Sequence, residues 1–132
     1  MGGRGRPRAS YRRAIRDLGE ALRVDPRSPE ALSNRGLAWS GIAEADAAVG
    51  MDAAGPREKA IADLHAAVVA NPSFWQAWAN LGLLHDAAGQ PAKAVEAYDA
   101  ALQICPGHPK LEELLAAARA RLGPPPGKEP VK

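Results

Sequence analysis

The stretch AVEAYDAALQICP, Ala94 to Pro106, has two echoes upstream: AIADLHAAVVANP, Ala60 to Pro72, and AIRDLGEALRVDP, Ala14 to Pro26. All three carry Ala, a β-branched residue, a large residue, Ala, an apolar residue and Pro at the same offsets. These are Ala94, Val95, Tyr98, Ala101, Leu102 and Pro106 in one, Ala60, Ile61, Leu64, Ala67, Val68 and Pro72 in another, and Ala14, Ile15, Leu18, Ala21, Leu22 and Pro26 in the third. A stripe with this spacing runs along one side of a helix, and Pro, which has no N–H and clashes with the preceding turn, stops it. One helix type therefore occurs three times.

A second type lies between them, in SPEALSNRGLAW (Ser28 to Trp39) and SFWQAWANLGLLH (Ser73 to His85), with Asn34 matching Asn80 and Gly36 matching Gly82. Ser28 followed by Pro29 reads as an N-cap and first helical residue, and Ser73 with Gln76 as a capping box. A mid-helix Gly costs about 1 kcal/mol against Ala, so Gly36 and Gly82 predict a close neighbour. Ala60, Ala67, Ala94 and Ala101 supply a matching flat strip on the other helix type, and tight antiparallel pairing follows. Pro72 to Pro106 and Ala60 to Ala94 are each 34 residues apart, whereas Pro26 and Pro72 are separated by 46.

At these residues the chain resembles the tetratricopeptide repeat, a 34-residue helix-turn-helix unit. Residues 75–108 are similar to it almost throughout: Trp78, Leu81-Gly82, Gly89, Ala94, Tyr98, Ala101 and Pro106 stand at its marked positions. Residues 29–72 resemble a degenerate copy with Leu32 for the aromatic and Arg35-Gly36 for Leu-Gly, and residues 9–26 the second helix of a preceding copy. The resemblance implies an all-α fold, a right-handed α-α superhelix of helix hairpins. Pro109 to Gly123, amphipathic through Leu111, Leu114, Leu115, Ala118 and Leu122, reads as a C-terminal capping helix. The helical domain is thus expected over 9–123, between an Arg/Gly-rich tail at 1–8 and a Pro/Gly-rich tail at 124–132, both expected to be disordered.

The twelve additional residues of the middle unit fall between Trp39 and Ala60. Their Ala-rich sequence predicts two longer helix arms, breaking near Gly50 to Gly55, about 18 Å of added helix in all. A protruding hairpin carrying Ile42, Val49 and Met51 is expected. Phe74 and Trp75 are expected to seal the joint with the preceding unit, and Trp78 to be core.

Composition narrows the function. Alanine supplies 29 of 132 residues and Thr is absent, which favours helix over strand. No apolar run approaches the roughly 20 residues of a membrane span, and no signal peptide is recognisable, so no membrane role and a cytoplasmic location are expected. The first 16 residues hold six Arg (Arg4, Arg6, Arg8, Arg12, Arg13, Arg16) and no acid, leaving 11 bases against 15 acids in the rest. Nucleic-acid binding would rest on that Arg run alone, and the rest of the chain would oppose it.

Catalysis has no convergent residues behind it. His65, His85, His108 and Cys105 are the candidates, and Cys105 with His108 has ligand-like spacing but no second pair to complete a zinc site. No catalytic residue, metal or cofactor is predicted. Binding is the better reading, because stacked helix pairs leave a groove lined by the first helix of each pair. Rotation by 100° per residue puts Ser33, Asn34 and Leu37, with Gln76, Ala79, Asn80, Leu83 and Asp86, on that side, joined by Lys110. Asn34 and Asn80 would form an amide ladder for an extended protein or peptide segment.

The resemblance also brings a clamp for a C-terminal carboxylate, found in chaperone-binding members. Asn80 and Lys110 match it, whereas Ser33, Leu37 and Leu114 stand where Lys, Asn and Arg would be required. Chaperone-tail binding is therefore not expected from the motif. An alternative is self-association, a homo-oligomer formed through Ile15, Leu18 and Leu22 of the unpaired leading helix.

Overall fold

The computed structural model describes residues 6–123. Over that span the chain forms six helices: α1 (Arg6–Val24), α2 (Pro29–Ala48), α3 (Ala54–Ala70), α4 (Trp75–Ala87), α5 (Pro91–Ile104) and α6 (Pro109–Leu122). Each packs chiefly on the next, and α2 also reaches α4. The hairpins α2–α3 and α4–α5 are the two repeated units, flanked by α1 and α6, and the stack is an all-α superhelix.

The small-residue strip does what the pattern requires. Ala60, Ala67, Ala94 and Ala101 are fully buried. A methyl group on Gly36 would lie 2.9 Å from Leu64 Cγ, and one on Gly82 would lie 2.5 Å from the Tyr98 ring. The core has two lobes, one around Leu22, Leu32, Leu64, Val68, Leu81 and Leu84, the other around Tyr98, Leu111, Leu115 and Ala118. Trp78 packs against both, and its indole N–H donates to the Pro72 carbonyl at 2.9 Å. Phe74 packs on the first lobe, as expected. Trp75 does not join it: its ring turns to the second lobe, with its centroid 5.2 Å from that of His108.

Helix starts follow the caps unevenly. Ser28 Oγ accepts from the Ala31 N–H at 3.2 Å, with Pro29 opening α2. The capping box at Ser73 does not form, since α4 begins at Trp75 without a side-chain cap. Asn71 Oδ1 instead accepts from the Ser73 N–H at 3.1 Å, drawing Ser73 into the preceding turn. His108 caps α6, its Nδ1 accepting from the Leu111 N–H at 3.4 Å.

The middle unit departs from its neighbour in two ways. Arg35 and Asp63 stand at the places of Leu81 and Ala97 in the next unit and form a two-pronged ion pair between α2 and α3, at 2.8 Å on each prong. Its arms are also longer, 20 and 17 residues against 13 and 14. They turn over Val49 to Ala53, where Gly50 takes φ +79°, a left-handed conformation open to Gly without strain.

The hairpin does not stand free, because α1 lies along it. The Tyr11 ring sits on Gly41 and leaves no room for a methyl group there, and Arg8 pairs with Asp46 at 2.6 Å. Of the apolar residues expected on the hairpin, Ile42 is core, while Val49 and Met51 are exposed. The same contacts extend α1 back to Arg6, so residues 6–8 are helix rather than tail. Residues 1–5 and 124–132, expected as tails, lie outside the described residues. The face of Ile15, Leu18 and Leu22 has cover from its own chain: Leu22 is buried and the other two are half-buried as α1 packs on α2.

Candidate peptide-binding groove

Of the large apolar side chains left exposed, two stand on adjacent parallel helices: Leu37 on α2, 42% exposed, and Leu83 on α4, 45% exposed. They border one groove of about 480 Å³, together with Ser40, Gly41 and Glu44 of α2 and Asn80 and Ala87 of α4. Tyr11 closes one side from α1 and Arg57 of α3 stands at the rim, with Leu64 and Leu84 beneath. Its lining combines apolar side chains with the polar groups of Ser40, Glu44, Arg57 and Asn80. Such a surface can bury an apolar side chain while Asn80 exchanges hydrogen bonds with a backbone.

Of the residues read from the sequence, Leu37, Asn80 and Leu83 are brought together here. Ser33 is 4% exposed and lines nothing; Ala79, its counterpart, is half-buried against the second lobe. Both positions lie where a neighbouring helix closes in, and the small side chains serve packing. Asn34, Gln76 and Lys110 are exposed but outside the groove, so the amide ladder reduces to Asn80.

Asp86 is already engaged. The Tyr98 hydroxyl donates to its Oδ2 at 2.8 Å, and Arg121 pairs with its Oδ1, tying α4 to α5 and α6. Burial first, then the bond to Asp86, push the Tyr98 phenol far above its ordinary pKa, which keeps the donor protonated. Leu114 packs half-buried against the second lobe. The five clamp positions therefore gather no pair of cations around a carboxylate.

Tyr11, Glu44, Ala47 and Arg57 escaped the sequence reading. For Tyr11 the signal was Gly41, a helix glycine whose partner proved to be that aromatic ring on α1. Among the described residues no group of three or more His, Cys, Asp and Glu could hold a metal ion, and no helix is long and apolar enough to cross a membrane.

The family model described as Tetratricopeptide repeat matches residues 8–56 and 42–109. The chain belongs to the tetratricopeptide repeat family. Among curated proteins it is similar to small glutamine-rich tetratricopeptide repeat-containing protein 2 of Mycosarcoma maydis, 32% identical over 112 residues, or 85% of this chain and 28% of that protein. It is also similar to the heat-shock protein cognate co-chaperone sgt12 of Aspergillus fumigatus, 33% identical over 96 residues, or 73% of this chain and 25% of that protein. The chain thus spans about a quarter of these relatives' length.

Among solved structures it resembles the Sgt2 TPR domain from Aspergillus fumigatus, with TM-score 0.70, 26% identity and coverage of 96% of this chain and 82% of that one. The first TPR of Spaghetti (RPAP3), bound to the HSP90 peptide SRMEEVD, shares the fold at TM-score 0.74 and 20% identity, covering 93% and 88% of the two chains.

Proposed function

We propose that this chain is a non-catalytic adaptor that holds a segment of a partner protein in the groove between α1, α2 and α4. One observation carries the reading: Leu37 and Leu83, both close to half exposed, border a single groove with Asn80. Covering what remains exposed of each leucine contributes about 1 kcal/mol, and Asn80 fixes the backbone of the segment over them. Tyr11 adds a ring with an apolar face and a polar tip, a side chain suited to recognition.

The co-chaperone names among the relatives support a chaperone as the source of the segment. The side chains favour contact through the leucines over capture of a terminal carboxylate, since Lys110 lies outside the groove and Ser33 is buried. A non-catalytic role is supported by the structural duty of one reactive candidate, His108, which caps α6. Cytosolic residence agrees with the single Cys and with the relatives.

The test is affinity capture from cell extract with wild type and with Leu37→Asp/Leu83→Asp, both checked for helicity. Partners captured by wild type should be lost by the variant. Their full retention by a folded variant would remove the groove from the reading.

A further inference from the structure

The longer arms of the middle unit build a second concavity. The first turns of α3 overrun the α4–α5 hairpin, so that Ala54, Arg57, Glu58 and Ile61 face His85, Ala88, Gln90 and Lys93, with His65 at one side. The recess between them measures about 570 Å³. Its lining has two permanent cations and two imidazoles against a single carboxylate, in a chain whose balance beyond residue 16 is acidic. α5 opens into it with no side-chain cap and no acidic residue in its first turn. Arg57 borders both this recess and the leucine groove, so the two meet.

We propose that this recess is a subsite for the carboxylate side chains of an acidic peptide segment, entered past Arg57 from the groove. The ligand class then sharpens to an apolar residue seated between Leu37 and Leu83 with acidic residues following it on the Arg57 side. Charge complementarity supplies the reason: carboxylates meet Arg57 and Lys93, and Glu58 is the only opposing charge in the lining. The proposal rests on the groove reading for the rest of the segment, but the recess can be probed by itself.

His85 makes the subsite sensitive to pH. Burial holds His85 below its ordinary value, and Lys93 and His65 add to this, while the contact of Gln90 Oε1 with Nδ1, at 3.3 Å, and the charge of Glu96 oppose it. Arg57 and Glu58 face the same space from α3. An incoming carboxylate favours the protonated imidazole, so affinity rises as pH falls.

The experiment is a titration of 15N-labelled protein with acetylated tetraglutamate and, in parallel, acetylated tetraglutamine. Tetraglutamate should shift amides at Arg57, His65, His85 and Lys93, more strongly at about pH 6 than at about pH 8, and less as salt is added. Tetraglutamine should leave them in place, and Arg57→Gln/Lys93→Gln should weaken tetraglutamate binding about tenfold. Absent shifts, shifts centred on Arg119 and Arg121, or equal binding by the double variant would overturn the proposal. Leu37→Asp/Leu83→Asp separates the two readings. If the groove fails alone, partner capture survives in that variant; if the recess fails alone, capture is lost while wild type ignores tetraglutamate.

Discussion

Gly82 and Gly19 show how little a residue type says without its neighbour. Both are helical glycines, yet a methyl group on Gly82 would meet the buried Tyr98 ring at 2.5 Å, whereas nothing lies within 4 Å of one on Gly19. Gly82→Ala should therefore destabilise by about 1–3 kcal/mol, because overpacking outweighs the better helix propensity. Gly19→Ala should stabilise by up to about 1 kcal/mol. Urea unfolding midpoints at unchanged slope measure both. His85 gives a pH test at the same scale. Its folded pKa lies below the ordinary 6.5, so the neutral form fits the fold better. Its contribution is intact above that value and is lost as pH falls through the lower, folded one. Wild type should lose stability over this acid range, and His85→Gln should lose less.

At the scale of elements, the α2–α3 pairing can be made to imitate its neighbour. Arg35 and Asp63 occupy the places of Leu81 and Ala97, which are both buried. Arg35→Leu strands the buried Asp63 carboxylate and should cost roughly 2–3 kcal/mol. Arg35→Leu/Asp63→Ala copies the apolar pair and should recover most of that loss, as a double-mutant cycle in urea would register.

The helices themselves were legible, because an apolar stripe ended by Pro is written into consecutive residues, and Gly36 and Gly82 announced the tight pairing. What escaped depends on contacts between units. Ser33 has the sequence of a groove residue and the burial of a core one, since 100° rotation ranks faces of one helix but does not place the next helix. Asn71 took the Ser73 N–H in a turn, a local competition between two plausible hydrogen bonds. Trp75 turned to the second lobe because its partner, His108, stands at the far end of the same repeat, where it caps α6. Leu37, Asn80 and Leu83 were found, but their limits were not, since Tyr11 reaches the groove only by the seating of α1 on Gly41.

For the whole molecule, the inserted residues and the leading helix form one device. The longer α2 gives α1 a surface to lie on, α1 brings Tyr11 to the groove, and the longer α3 carries Arg57 to its rim. Arg8→Ala should loosen that arrangement, since it leaves Asp46, whose side chain is 12% exposed, without its cation. Faster amide exchange in the first turns of α1, with exchange in α5 unchanged, is the expected reading. The central claim is that partners enter between α2 and α4. It is tested most directly by placing a photo-crosslinking amino acid at position 83 in one sample and at position 69, an exposed valine on α3, in another. Crosslinks to the captured partner from position 83 and none from position 69 are predicted; strong crosslinking from 69 with none from 83 would contradict it.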